Sequence, residues 1–225
     1  GCAISTAMTW IGKDAWQLAH PVTAISDDGA AVTPGLLDQV LANVKESGLY
    51  LIEHCEHHDT GAVNDGPVFP QSSACRESPE DTELKIVSRD IEKARETGVH
   101  IHFQHVSTAI SFDAIRKAKA EGLPITCETA PHYLALCDED LLEYGTLAKM
   151  NPPLRSAADR QATIAAIADG TVDLLATDHA PHTLEEKERG FLEAPNGIIG
   201  LECAYGVCHK CWSTGVTSPT SGSSS

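Results

Sequence analysis

The feature that most constrains this chain is an alternation: short runs rich in Val, Ile and Leu, too brief for helices, recur between longer stretches of helical period. Residues 2–5, 22–26, 50–53, 100–105, 124–128 and 173–177 read as buried parallel strands. Between them, Thr33-Pro34 opens a helix with Leu36, Leu37, Val40, Leu41 and Val44 on one face, and Gly48 closes it. Ser78-Pro79-Glu80-Asp81 has the form of a capping box for a second helix, whose inner stripe is Leu84, Val87, Ile91 and Ala94 before Gly98. A third runs from about 109 to 121. Ser156 caps a fourth, in which Ile164 and Ile167 point inward before Gly170. Strands and helices alternating at this pace give a parallel sheet with right-handed crossovers.

Either an open doubly wound sheet or a barrel satisfies that pattern, and the polar residues decide between them. No GxGxxG or GxxxxGK[ST] follows any strand. Instead, Asp27-Asp28, His54, His105 and Asp178 follow four of the strands at their C-terminal ends. Convergence of such residues from several strand ends onto one face is how a (β/α)8 barrel builds a site.

The length of 225 residues, with 42% hydrophobic and 21% charged residues, allows one large core. A formal net charge of -16 opposes phosphate backbones and anionic lipid, so neither nucleic acid nor membrane is an expected partner. No apolar run reaches about 18 residues and the first residues lack a leader pattern, so the expectation is a cytoplasmic protein. Eight scattered cysteines form no disulfide framework; the one CxxC, Cys208 to Cys211, has no second pair at zinc-site spacing.

Aspartate and neutral imidazole are zinc ligands, and a catalytic zinc keeps one position open for water. In "AISDDG" the strand period sends Asp27 and Asp28 to opposite faces, so one of them can face the barrel mouth; Asp27 is the choice, although the pair reads equally as a turn before Gly29. "LIEHCEHHD" puts His54 directly after an apolar strand. In "HIHFQHVST", His105 is the ligand candidate and His100 and His102 are barrel or surface residues. "DLLATDHAPH" ends an apolar run at Asp178 and reaches His182 four residues on. Read alone, a histidine at a strand end is commonplace; together the four point to a bound divalent metal.

The segments "SDDG", "EHCE", "QHVST", "ETAPHY", "KMNPPLR", "ATDHAPH" and "APNGIIGLE" make residues 24 to 208 similar to the dihydroorotases of the amidohydrolase superfamily, in the class with an aspartate as bridging ligand. The resemblance implies a partial (β/α)8 TIM-type barrel over residues 1–210, with its first strands missing. It also implies zinc, one or two ions per complete site, and reversible conversion of dihydroorotate and N-carbamoyl-L-aspartate in pyrimidine synthesis. By this likeness Asp27 bridges the metals, His54 and His105 bind the second zinc, and Asp178 binds the first and shuttles the proton. Asn151, His182 and the backbone of Asn196-Gly197 match positions that hold the substrate ring or its carboxylate. A homodimer or association with aspartate transcarbamoylase is compatible with it. The alternatives are an allantoinase or hydantoinase-like cyclic amidohydrolase, or a non-catalytic homologue that scaffolds aspartate transcarbamoylase; hydantoinases typically carry a carboxylated lysine where this chain has Asp27.

Two departures qualify the likeness. Family members start the barrel with an HxH pair followed by an arginine, and here no HxH precedes "SDDG". After "GLECAYGVCHK" the pattern stops, and residues 211–225 read as a disordered Ser/Thr/Gly tail. The expectation is a truncated or frameshifted product that is inactive by itself and, with open strand edges, prone to aggregate.

Overall fold

A computed structural model describes residues 3–4, 24–27, 31–55 and 81–215. Its strands are β1 (Ala3–Ile4), β2 (Ala24–Ser26), β3 (Tyr50–Glu53), β4 (Ile101–Phe103), β5 (Ile125–Thr129) and β6 (Leu174–Leu175). The main crossover helices are α1 (Pro34–Ser47), α2 (Asp81–Thr97), α3 (Ala109–Ala120) and α6 (Ala157–Ala168), with shorter α4 (Pro131–Ala135), α5 (Leu141–Tyr144) and α7 (Leu184–Lys187) and a last helix α8 (Ala204–Gly215). The strands form one parallel sheet in the order β1-β2-β3-β4-β5-β6. A doubly wound sheet reverses its strand order at a switch point, and among the described residues this one does not, which matches an arc of a singly wound barrel.

The period of two sorts each strand's side chains. Ile25, Leu51, Ile101, Phe103, Ile125 and Cys127 pack in the main core. Against them lie Leu37, Val40, Leu41 and Val44 of α1, Val87 and Ile91 of α2, and Phe112 and Ile115 of α3. Val44, Val87 and Ile115 are fully buried, and each contributes about 2 kcal/mol by leaving water. The opposite face is polar: Gln104 Nε2 donates to Ser26 Oγ at 2.7 Å, and His102 joins Thr126 Oγ1 at 2.8 Å and Glu128 Oε2 at 3.2 Å.

Local chemistry sets the helix ends. Pro34 starts α1, and Gly48, at φ +69°, turns the chain out of it while its N–H bonds Lys45 O. Ser156 Oγ accepts from Asp159 N at 3.2 Å, the cap expected for α6. Helix α2 begins at Asp81; the Ser78 to Glu80 part of the expected capping box lies outside the described residues, as does Asp28. Leu84 is only half-buried, and Ile86 takes its place on the inner stripe.

Two expectations change. Strand β6 was expected to be buried, yet Leu174 and Leu175 are 47% and 40% exposed, because among the described residues only β5 pairs with it. Helix α8 runs through residue 210 to Gly215, so residues 211–215 are helical rather than part of a disordered tail; residues 216–225 lie outside the described residues. The reason is a stripe of partly buried Ala204, Val207, Cys208 and Cys211 at helical spacing, on a helix that packs against α4 and α6. No helix among the described residues is long and apolar enough to cross a membrane.

Candidate active site

Three of the candidate ligands, Asp27, His54 and His105, follow β2, β3 and β4, and two contacts link them in sequence: Asp27 to the His54 backbone and the His54 ring to the His105 ring. Asp27 follows β2 directly and is buried, with Oδ1 accepting from His54 N at 2.8 Å. Its other oxygen, Oδ2, is buried with no hydrogen-bond partner among the described residues. Burial pushes this carboxyl up to about 7, against the lowering effect of the His54 N–H. His54 follows β3, and its ring meets that of His105 edge to face, with centroids 4.3 Å apart.

His105 is 5% exposed, and burial, with His132 adding to it, pulls its imidazole down to about 4. It is therefore neutral at ordinary pH and retains a lone pair for a metal. Its Nδ1 is buried without a partner among the described residues. His132, in the first turn of α4, is also buried, and burial takes it down to about 3; neither ring nitrogen has a partner among the described residues. No site role was expected of His132. Its signal was present in "ETAPHY", directly after a strand, but hidden by its position one residue inside a helix.

The backbone marks two of the same positions. Among the described residues the non-glycine residues with positive φ are His105, at +34°, and Asp178, at +47°. Side chains other than glycine resist this region, and such strain collects where a site holds a residue in place. Asp178 is half-buried, three residues beyond β6.

Electrostatics beneath the site favour a cation. Glu53 and Asp90 are fully buried, and Arg89 of α2 reaches both, with Nη2 2.7 Å from Glu53 Oε1 and Nε 2.7 Å from Asp90 Oδ1. Burial, then the charges of Asp90 and Asp27, push Glu53 well up despite Arg89. One guanidinium thus pairs with two buried carboxyls, Glu53 and Asp90, while burial and their mutual repulsion push Glu53 and Asp27 toward the neutral form, which a bound cation would reverse. A carboxylate and two imidazoles are also the donors zinc takes. The fit is one of chemistry and charge: among the described residues no three His, Cys, Asp or Glu side chains are grouped so as to hold a metal ion.

The expected substrate residues gather in a second place. Gly197 N donates to Lys149 O at 3.0 Å, which ties the Asn196-Gly197 turn to the loop that carries half-buried Asn151. His182 Nε2 lies 3.0 Å from Asn196 O. His182 and Gly197 line an apolar pocket of about 350 Å3 with Leu136, Tyr144, Leu147 and Ile199, and no candidate metal ligand lines it. The buried lysines Lys149 and Lys187, to which the sequence assigned no role, hold this region: Lys149 Nζ donates to Ala194 O at 2.6 Å and Lys187 Nζ to Pro195 O at 2.9 Å.

A strand-ordered parallel arc with acidic and imidazole side chains following its C-terminal ends defines a segment of a (β/α)8-type barrel with its polar residues at the end where such barrels carry their sites. Solved structures share the fold. A D-hydantoinase matches with a TM-score of 0.76 at 20% identity, over 92% of this chain and 49% of that one. The dihydroorotase from Saccharomyces cerevisiae in complex with 5-fluoroorotic acid matches with a TM-score of 0.68 at 16% identity, over 86% and 55%. No family model matches the chain. The dihydroorotase of Brevibacillus brevis is 43% identical over 190 residues, 82% of this chain and 44% of that protein. That of Pelotomaculum thermopropionicum is 45% identical over 188 residues, again 82% and 44%. The chain belongs to the dihydroorotase family, and it spans less than half the length of these curated relatives.

Proposed function

We propose that this chain is part of a zinc-dependent, cytoplasmic dihydroorotase that interconverts dihydroorotate and N-carbamoyl-L-aspartate. The observation that carries the reading is the burial of Asp27, His54 and His105, with Asp27 Oδ2 and His105 Nδ1 lacking hydrogen-bond partners among the described residues and His105 and Asp178 held in left-handed backbone. Asp27, His54 and His105 would hold the metal, joined by Asp178. When bound, zinc would polarise the ring amide carbonyl and make water a competent nucleophile near neutral pH.

Asp178 accepts the proton of the attacking water and returns it to the leaving ring nitrogen, which requires reach of about 2.6–3.2 Å to both. Asn151, His182 and the Asn196-Gly197 backbone orient the ring and its carboxylate. The reverse reaction uses the same groups to close the ring. Because no HxH precedes Asp27 in the chain, the reading assigns turnover to a barrel with its remaining strands and expects none from these residues alone.

A chimera tests this: residues 24–208 replace the aligned segment of the Brevibacillus brevis protein, and dihydroorotate, allantoin and a 5-substituted hydantoin are assayed. Turnover of dihydroorotate that Asp178→Asn abolishes is the expected result. The apolar pocket beside His182 supports a second reading, a hydantoinase-like enzyme whose substrate carries an apolar group. Turnover of the hydantoin without turnover of dihydroorotate would establish it in place of the first.

A further inference from the structure

We propose that Glu83 is a positioning residue, whose carboxylate holds the turn after His105 and ties it to the loop of Asn151; its relevance to catalysis rests on the reading of the preceding section. Glu83 lies in the first turn of α2, 24 positions from the nearer residue it grips, and is 1% exposed. Its two oxygens divide the turn between them. Oε2 accepts from Ser107 N at 3.0 Å and Ser107 Oγ at 2.6 Å, and Oε1 accepts from Thr108 N at 3.0 Å and Thr108 Oγ1 at 2.6 Å. A single buried carboxylate thus takes four hydrogen bonds, all charge-assisted and therefore stronger than neutral ones.

Capping alone does not explain this arrangement. Helix α3 already has Thr108 as its N-cap, with Oγ1 accepting from Ser111 N, and Asp159 Oδ1 takes Ala109 N at 2.8 Å. What the Glu83 bonds add is a fixed position for the backbone just before the helix. His105 stands two residues upstream at φ +34°, a conformation that persists only where its surroundings over-determine it. Neighbouring backbone tightens the same turn: Gln104 N donates to Glu53 O at 3.0 Å and Val106 N to Glu128 O at 2.9 Å.

The clamp has a second arm. Arg155, 4% exposed, donates from Nε to Ser107 Oγ at 3.0 Å, and its Nη2 stands 4.0 Å from Glu83 Oε2. Arg155 follows Asn151 by four residues in "NPPLR". Ser107 Oγ therefore lies between a carboxylate from α2 and a guanidinium from the Asn151 loop, so a shift of one half of the site is felt by the other.

Glu83→Gln in the full chain tests the inference. An amide keeps one acceptor and turns the other into a donor, so either Ser107 N or Thr108 N loses its partner. The expected result is amide exchange at Ser107 and Thr108 faster by about 10-fold or more than at amides buried in α2 and β4, with a changed 13Cα shift for His105. Ile115→Val, a core control, should speed exchange evenly and leave His105 where it was. If Glu83→Gln does not fold, Ser107→Ala, which keeps both backbone bonds, should loosen the turn about 3-fold and shift His105 in the same sense.

Uniform acceleration with an unchanged His105 shift in the variant that folds overturns the proposal. Zinc affinity in the same samples, read by chelator competition, is expected to fall about 10–100-fold in Glu83→Gln and not in Ile115→Val. A parent chain that takes no zinc overturns the metal reading instead, and the exchange comparison still decides the clamp.

Discussion

Replacing Gly197 with alanine should be among the most damaging single-methyl changes in this chain. Gly197 has φ +138°, and a Cβ built there stands 2.5 Å from Ala180 O, 2.8 Å from Ala180 Cβ and 3.1 Å from His182 Cδ2. The obstructing backbone is itself pinned, since Ala180 N donates to Ile198 O at 3.1 Å and His179 bridges Ile198 in parallel. Neither partner yields without breaking that bridge. Backbone strain at such a φ is worth about 1–3 kcal/mol and forced overpacking about 1–3 kcal/mol more, so the loss should be about 2–6 kcal/mol.

Urea unfolding followed by far-UV circular dichroism reads it directly. With a slope of about 2 kcal/mol per M, the midpoint should fall by about 1–3 M at unchanged slope. Gly35→Ala is the matched control, because nothing lies within 4 Å of its Cβ position and it sits in α1; it should be neutral or raise stability by up to about 1 kcal/mol. If Gly197→Ala stays within about 0.5 kcal/mol of the parent, as an ordinary surface change does, the packing described between the Asn196 turn and the His182 loop is wrong.

Arg89→Met should destabilise the chain by about 3–5 kcal/mol by leaving Glu53 and Asp90 buried without their guanidinium, and adding Glu53→Gln should restore part of that loss in a double-mutant cycle. Asp27→Asn should stabilise the chelator-treated chain at pH 8, because the amide keeps the acceptor for His54 N and removes a charge disfavoured by burial. Burial raises the folded Asp27 to about 7, above its ordinary 3.8, so this carboxyl's contribution to stability is fully present below about pH 3.8 and lost as pH rises through 7. The advantage of Asp27→Asn should therefore vanish by about pH 4 in urea titrations; an advantage that persists there contradicts the assignment to this carboxyl. In Lys187→Met, loss of the bond to Pro195 O should cost about 1–3 kcal/mol, read as a lowered urea midpoint.

Much of the fold was legible because the signals were local. The β2 to β5 runs are short, apolar-rich and separated by helical stretches, so their reading as parallel strands followed from the sequence alone, and Ile25, Leu51, Ile101 and Ile125 in them pack in the core. Pro34, Gly48 and Ser156 act on their own backbone and could be read one residue at a time. The period of two allowed one of Asp27 and Asp28 to face the site without saying which; the structure buries Asp27 with an oxygen turned to His54, and Asp28 lies outside the described residues.

What escaped depends on distant partners. Glu83 reads as a polar residue in a helix; only folding brings it to Ser107 and Thr108, and only folding brings Arg155 to the same hydroxyl. The polar barrel face, where His102 meets Thr126 and Glu128, needs two strands side by side. Exposure of Leu174 and Leu175 could not be foreseen either, since an apolar run does not say how many neighbours its strand will have. In α8 the Ser, Thr and Gly near its end suggested a tail, while a stripe ending at Cys211 carried the helix across the expected boundary.

The most direct test of the central claim is zinc content of the purified chain by elemental analysis after equilibration with zinc and removal of excess, beside Asp27→Ala, His105→Ala and Asp178→Ala. Stoichiometric zinc in the parent, lost in each of the three variants, is the predicted result. Zinc retained by all three variants, or absent from the parent, would contradict a metal site built on Asp27, His54, His105 and Asp178.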